Sequence, residues 1–315
     1  MGFFILRRSV GFVLTLFAVS VVVFAVMNVL PGDPALTILG LDSTEDARAA
    51  LRAELGLDAP VLERYFEWIS GAVRGDFGES YSYGVPVSGL IAERLPVTLS
   101  LAVSGMTLTV VVALTMGVAA ATYHRRAGDW GVMLLSQIGV AIPAFWLSLL
   151  LVLLFAVKLR WLPPGGFPGW GEPVAALRSL ILPTIALGLV QAAVLARVTR
   201  SSALEVMRLD FVRTARASGL SRRRVLWRHV LPNALVPIVT IVGMQFASVV
   251  TGAIVIENVF YLPGLGRLIF QAISNRDLFT VQALVMMFAG IVVTANFLVD
   301  IAYVLIDPRL KARET

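Results

Sequence analysis

The 315-residue sequence has no cysteine, only two histidines (His124 and His229) and only two lysines (Lys158 and Lys311). The first absence excludes disulfide frameworks, thiolate metal sites, iron-sulfur clusters and cysteine nucleophiles. A P-loop needs a glycine-rich turn followed by a lysine that reaches the phosphates, and neither lysine ends such a turn. The chain therefore does not carry its own P-loop ATPase. Both histidines fall in segments expected to lie outside the apolar runs, so no paired-histidine metal site or intramembrane relay is expected. No Ser-His-Asp arrangement stands out, and no cofactor is expected.

Charge is also scarce. Charged residues make up 15% of the chain and hydrophobic ones 58%, and the mean hydropathy is +0.85. A soluble domain carries about 25% charge, so this composition calls for lipid as a solvent. Six uncharged apolar stretches are long enough to cross a hydrocarbon core of about 30 Å: Ser9 to Leu30, Val97 to Ala121, Gly131 to Val157, Leu180 to Ala196, Ala234 to Ile256 and Val281 to Leu305. Arg7 and Arg8 precede the first in the manner of a signal peptide, but the run is too long and no small-residue cleavage site follows. It is expected to be a retained helix. Glu257, at the outer end of the fifth stretch, and Asp300, toward the inner end of the sixth, are expected to be helix-end carboxylates rather than an ion-coupling pair. Gln137, Gln191, Gln245 and Asn296 are expected to make interhelical hydrogen bonds.

The net charge of +6 suggests nucleic acid until its distribution is followed. Basic residues gather before the first stretch, at Arg125 and Arg126, in the segment after the fourth, and in the tail at Arg309, Lys311 and Arg313. These four segments share one side of a six-span protein, and the positive-inside rule makes that side cytoplasmic, with both termini inside. No nucleic-acid partner is implied. On the opposite side, residues 31–96 hold eleven acids against five arginines. This periplasmic insertion is expected to contain a helix from Asp46 to Leu55 ended by Gly56 and another from Val61 to Val73 ended near Gly75, with Tyr65, Phe66 and Trp68 available to the membrane interface. It is expected to cap the bundle, which is compatible with receiving a partner or gating the outer mouth. The Pro- and Gly-rich runs Trp161 to Pro173 and Tyr261 to Gly266 exclude regular helix and are expected to be outer turns, the second at a pore mouth.

The segment from Glu205 to Pro232 carries nine arginines when counted together with Arg197 and Arg200, against Glu205 and Asp210. Leu204, Met207, Phe211 and Ala215 recur at helical spacing and predict one apolar face. Gly219 suits a left-handed helix end and Ser221 an N-cap, so a short helix, a glycine turn and a second short helix are expected before Pro232 interrupts the chain. Ala215, Ala217, Ser218 and Gly219 would let another backbone approach closely. A basic loop that only fixes topology and touches anionic lipid would account for the same arginines.

This segment resembles the EAA loop of ABC-importer permeases, in which Glu-Ala-Ala is followed after three residues by Gly and, after nine more, by an aliphatic residue, any residue and Leu-Pro. Ala215, Gly219, Leu231 and Pro232 match at the right spacing, whereas Arg213, Thr214 and His229 depart from it. The form RTARASGL preceded by Asp210 and Phe211 is similar to that of dipeptide and oligopeptide permeases. The LPGDP run from Leu30 to Pro34, Leu55 to Asp58, Arg74 to Ser80, Ile142 to Leu147, Leu162 to Gly166 and Glu257 to Leu268 resemble the B-type subunit of that family in identity and order.

The resemblance implies an all-α polytopic membrane protein with the six-helix type I importer permease fold, a single transmembrane domain over residues 1–315 in the bacterial inner membrane, with a coupling loop at 199–232. It implies a non-catalytic subunit that pairs with a second homologous permease, stands above two ATP-binding subunits and receives solute from an extracytoplasmic binding protein. Contacts with the ATPase would fall on Asp210, Phe211, Arg213, Thr214, Ala215, Arg216, Ser218, Gly219 and Leu220. Relatives handle dipeptides, longer peptides, glutathione, nickel complexes and some sugars, and the resemblance leaves the solute open. A stand-alone secondary transporter or channel and a membrane-anchored interaction protein are the alternatives; the near absence of charge in the spans opposes the first.

Overall fold

The computed structural model describes residues 2–29, 34–40 and 42–306. The Leu30 to Asp33 stretch, the Asp300 side chain and the basic tail from Arg309 to Arg313 lie outside the described residues.

Helix α1 (Gly2–Val29) is followed by the short α2 (Pro34–Leu39), by α3 (Glu45–Glu54) and by α4 (Val61–Arg74). Thr44 caps α3 by accepting from the Ala47 N–H, and Gly75, at φ +84°, ends α4 in the left-handed conformation that lets its N–H reach back to the last turn. The aromatics of α4 are not all free for a membrane interface. Tyr65 is buried, its hydroxyl 2.7 Å from Ser20 Oγ, and Trp68 stacks on Phe24 of α1; Phe66 stays exposed. These contacts dock the insertion on the first helix.

A two-residue strand pair, β1 (Glu79–Ser80) and β2 (Val85–Pro86), leads into α5 (Val87–Thr122). The second span thus starts ten residues before the expected Val97 and carries Pro96 inside it. Helices α6 (Ala127–Ala141) and α7 (Ala144–Leu151), the latter continued by a π-helical turn over Val152–Lys158, occupy the third apolar stretch. They do not form the single continuous helix expected from Gly131 to Val157: the two halves meet at 104°. The cause is Pro143, which has no N–H to donate and forces the preceding Ile142 out of helical geometry, to φ −87°, ψ 122°.

Helix α8 (Pro173–Met207) is the next long span, and α9 (Asp210–Ala217) and α10 (Arg222–Val225) lie between it and α11 (Leu231–Val259). Pro232 does not break the chain. A π-helical turn over Leu226–Val230 widens the backbone, the Leu231 N–H bonds to the Leu226 carbonyl, and helix continues from Arg222 to Val259. Helices α12 (Leu265–Ser274) and α13 (Leu278–Ile306) complete the described chain. Among the described residues, five helices are long and apolar enough to cross a membrane, and the bent α6–α7 pair makes a sixth crossing when taken together.

Lipid is as apolar as leucine, so packing rather than water exclusion must hold such helices together. Helix α8 lies against α5 along the greatest length, and α11 packs against both. One buried cluster, toward the end away from α9, contains Leu101, Leu187, Val250, Leu268 and Leu284; a second, toward the α9 end, is built from small residues, Ala113, Ala192, Ala196 and Ala203 among them. At Gly117 a Cβ would stand 2.6 Å from Thr199 Cβ and 2.7 Å from the Ala196 carbonyl oxygen. Gly188 exposes its carbonyl to Thr109 Oγ1 at 3.0 Å. Among the expected interhelical amides, Gln245 Nε2 donates to the Gln191 carbonyl at 3.1 Å, while Gln137 and Asn296 are exposed.

Candidate functional site

The break after α8 determines how the basic segment presents itself. Helix α8 ends at Met207, Arg208 and Leu209 turn, and α9 starts afresh at Asp210. The turn resets the helical phase, so the continuous apolar face expected through Leu204, Met207, Phe211 and Ala215 does not form. Val212 and Ala215 face inward, packed in the cluster that contains Val206, Val225, Val230 and Ala234. Phe211 faces outward at 42% exposure, beside Leu209.

The α9 surface that remains open carries Asp210, Phe211, Arg213, Thr214, Arg216, Ser218 and Gly219, with Leu220 half-buried and Ala215 buried. Asp210 accepts from Arg213 Nη1 at 3.3 Å, a pair so exposed that it contributes little to stability. Thr214 and Ser218 donate to carbonyls one turn back, those of Asp210 and Thr214, which leaves their lone pairs outward. Gly219 has φ +81° and open space where a side chain would begin. Its role is conformational: it reverses the chain so that the Leu220 N–H returns to the Ala215 carbonyl. Ser221 then caps α10, accepting from the Arg224 N–H, and Trp227 stands exposed in the next turn. The result is a helical hairpin with a fixed apolar underside and an open, basic, partly aromatic outer side.

Behind this hairpin a charge cluster ties α6 to α8. Asp129, 5% exposed, accepts from Arg200 Nε and from Arg200 Nη2 at 2.8 Å, from the Arg125 N–H at 2.9 Å, and lies 3.0 Å from His124 Nδ1. Arg200 is thus committed to Asp129 and does not belong to the open basic surface.

At the other end, Glu257 has no exposed surface. Its carboxylate accepts from Thr98 Oγ1 at 2.6 Å, from the Gly266 N–H at 2.7 Å and from the Arg267 N–H at 3.2 Å. It therefore caps α12, whose first turn has orphan donors, and a Cβ at Gly264 would collide with it. The two Pro- and Gly-rich turns meet here, the Gly166 N–H donating to the Phe260 carbonyl at 2.7 Å. Asp277 plays the same part for α13: it accepts from the Thr280 N–H and Oγ1 and from Ser80 Oγ, latching the strand pair onto the helix. Burial, and then the Asp277 carboxylate, push the Tyr81 phenol above its usual pKa, while Arg64 acts in the opposite sense.

Comparison with known proteins agrees with this architecture. The family described as binding-protein-dependent transport system inner membrane component matches residues 113–312, and the N-terminal component of the same systems matches residues 1–102. A putative peptide transport system permease protein of Brucella abortus is 44% identical over 308 residues, which is 98% of each chain. A probable peptide ABC transporter permease protein of Sinorhizobium fredii is 41% identical over 312 residues, 99% of this chain and 100% of its own. The glutathione transport system permease protein of Escherichia coli is 39% identical over 308 residues, again 98% of each. With matches that run nearly end to end on an all-helical membrane bundle, the chain belongs to the family of binding-protein-dependent transport system inner membrane components and is a permease subunit of an ABC importer.

Proposed function

We propose that this chain, paired with a second homologous permease, forms the route by which peptides or related small solutes enter the cell from an extracytoplasmic binding protein. Hydrolysis belongs to two separate ATP-binding subunits, and this subunit catalyses nothing itself. Both termini and the 199–232 loop face the cytoplasm, and the 31–96 insertion faces outward. The single transmembrane domain spans residues 1–315. The peptide assignment follows the names of the relatives; the arginine distribution supports the orientation.

The observation that carries the reading is the two-sidedness of α9. Val212 and Ala215 bind it to the bundle, while Asp210, Phe211, Arg213, Thr214 and Arg216 project away. A short helix fixed on one face and gripped on the other transmits displacement to the spans that hold it. Asp210 to Leu220 is the handle: ATP-driven closure of the partners moves it, and the inner ends of α8 and α11 follow. Gly219 lets the handle turn back, and Ser218 and Leu220 complete its tip.

Reconstitution tests this. Proteoliposomes holding both permeases, the ATPases and the binding protein should accumulate dipeptide with ATP, and leaving out either ATPase or binding protein should abolish uptake. Accumulation by this chain alone would contradict the proposal.

A further inference from the structure

A cavity of about 580 Å³ opens between α1, the insertion and the start of α13, a size within the range of small-molecule sites. Its wall is amphoteric: Arg64 and Glu67 of α4 and Asp76 stand around it with the aromatic faces of Trp68 and Tyr81. Gln282 lies in the same wall, 7% exposed, and its Nε2 has no hydrogen-bond partner. A buried amide donor left unpaired is a cost that folded proteins seldom carry without reason. Its lining neighbours on α13, Leu278 and Phe279, have no side-chain acceptor to offer. Arg64 supplies a cation to the same wall.

We propose that this cavity binds a small zwitterion of the dipeptide type, its carboxylate received by Gln282 Nε2 and Arg64 and its ammonium by Glu67 and Asp76. The solute class rests on the peptide-importer reading above. The site is on the flank of the subunit, between its first and last spans, and holds solute at the outer face. A zwitterionic phospholipid headgroup presents the same two charges, so the test separates the two sources.

The full chain, in nanodiscs of phosphatidylglycerol and without other subunits, is titrated with alanyl-alanine by calorimetry. Because the native chain has no cysteine, Leu57→Cys in the cavity wall gives a single thiol whose maleimide labelling reports occupancy. Alanyl-alanine should bind and slow the labelling. Gln282→Leu should weaken binding about tenfold, as loss of one hydrogen bond to a charged group does. Arg64→Gln, a change on a half-buried outer position, should do the same without disturbing α13, and N-acetyl or C-amidated dipeptide should bind worse than the parent. Absence of binding, native affinity retained by both variants, or protection produced by phosphatidylethanolamine in place of peptide would overturn the proposal. No ATPase or binding protein takes part, so a failure of coupled uptake leaves this outcome untouched.

Discussion

Thr98 Oγ1 donates to Glu257 Oε1 at 2.6 Å across 159 residues of sequence and in turn accepts from the Leu265 N–H at 2.9 Å. One hydroxyl thus joins α5, the end of α11 and the start of α12. Replacing Glu257 with Ala removes the acceptor of the Thr98 hydroxyl and of the Gly266 and Arg267 N–H groups at a largely buried site. The expected loss is roughly 2–5 kcal/mol. Glu257→Gln keeps an acceptor for the backbone and should lose much less. Thermal unfolding in detergent, followed by retention of the monodisperse protein, ranks the two; equal losses would mean the cap is not what holds α12.

Asp129 and Arg200 should behave as a unit. Removing only the guanidinium, as in Arg200→Met, leaves a carboxylate 95% buried with its main partner gone, at a cost of about 3–5 kcal/mol. The double change Asp129→Asn with Arg200→Met removes the charge along with its partner and should recover most of the loss. A double-mutant cycle on thermal stability reads the coupling; strict additivity would contradict it.

Gly117 is a point of close approach between α5 and α8, and the neighbours that a Cβ would strike include the Ala196 carbonyl, which is backbone and has little room to yield. Gly117→Leu should force the two helices apart and lower folded yield sharply, whereas Gly128→Leu, with open space around it, should express as the native chain does. Fluorescence-detected size exclusion compares them.

At Gly219 the constraint is backbone angle rather than space. A β-branched residue at φ +81° costs roughly 1–2 kcal/mol locally, and Asn, which tolerates that region, costs less. ATP-driven uptake should therefore fall in the order Gly, Asn, Val with membrane levels unchanged. Native transport by Gly219→Val would remove the handle's turn from the account.

Much of this architecture can be read from the residues because the signals are local. Long uncharged runs mark the spans, and Gly56, Gly75, Gly219 and Ser221 punctuate short helices by their own backbone and hydrogen-bond preferences. Pro143 was equally visible, yet its effect depends on context: Pro96 and Pro183 sit within continuous helices, while Pro143 coincides with a bend of 104°. The phase of α9 was lost for a related reason, since a two-residue turn at Arg208 and Leu209 shifts every later side chain around the axis. Asp277 also precedes an apolar run, as an N-cap does, although no cap was expected there. What Glu257, Asp129 and Asp277 reach is another matter, because Thr98, Arg200 and Ser80 are 159, 71 and 197 residues away. Such pairings exist only once the helices are packed.

The central claim is that the α9 hairpin is held by a nucleotide-hydrolysing partner. Arg213, 75% exposed, is the position to test, since Arg213→Cys introduces the chain's sole cysteine. Crosslinking in native membranes with a short bifunctional maleimide should trap an ATP-binding subunit, and impermeant reagents added outside intact cells should leave the thiol unlabelled. A thiol that captures no ATP-binding protein, or one that reacts from outside, would contradict the account.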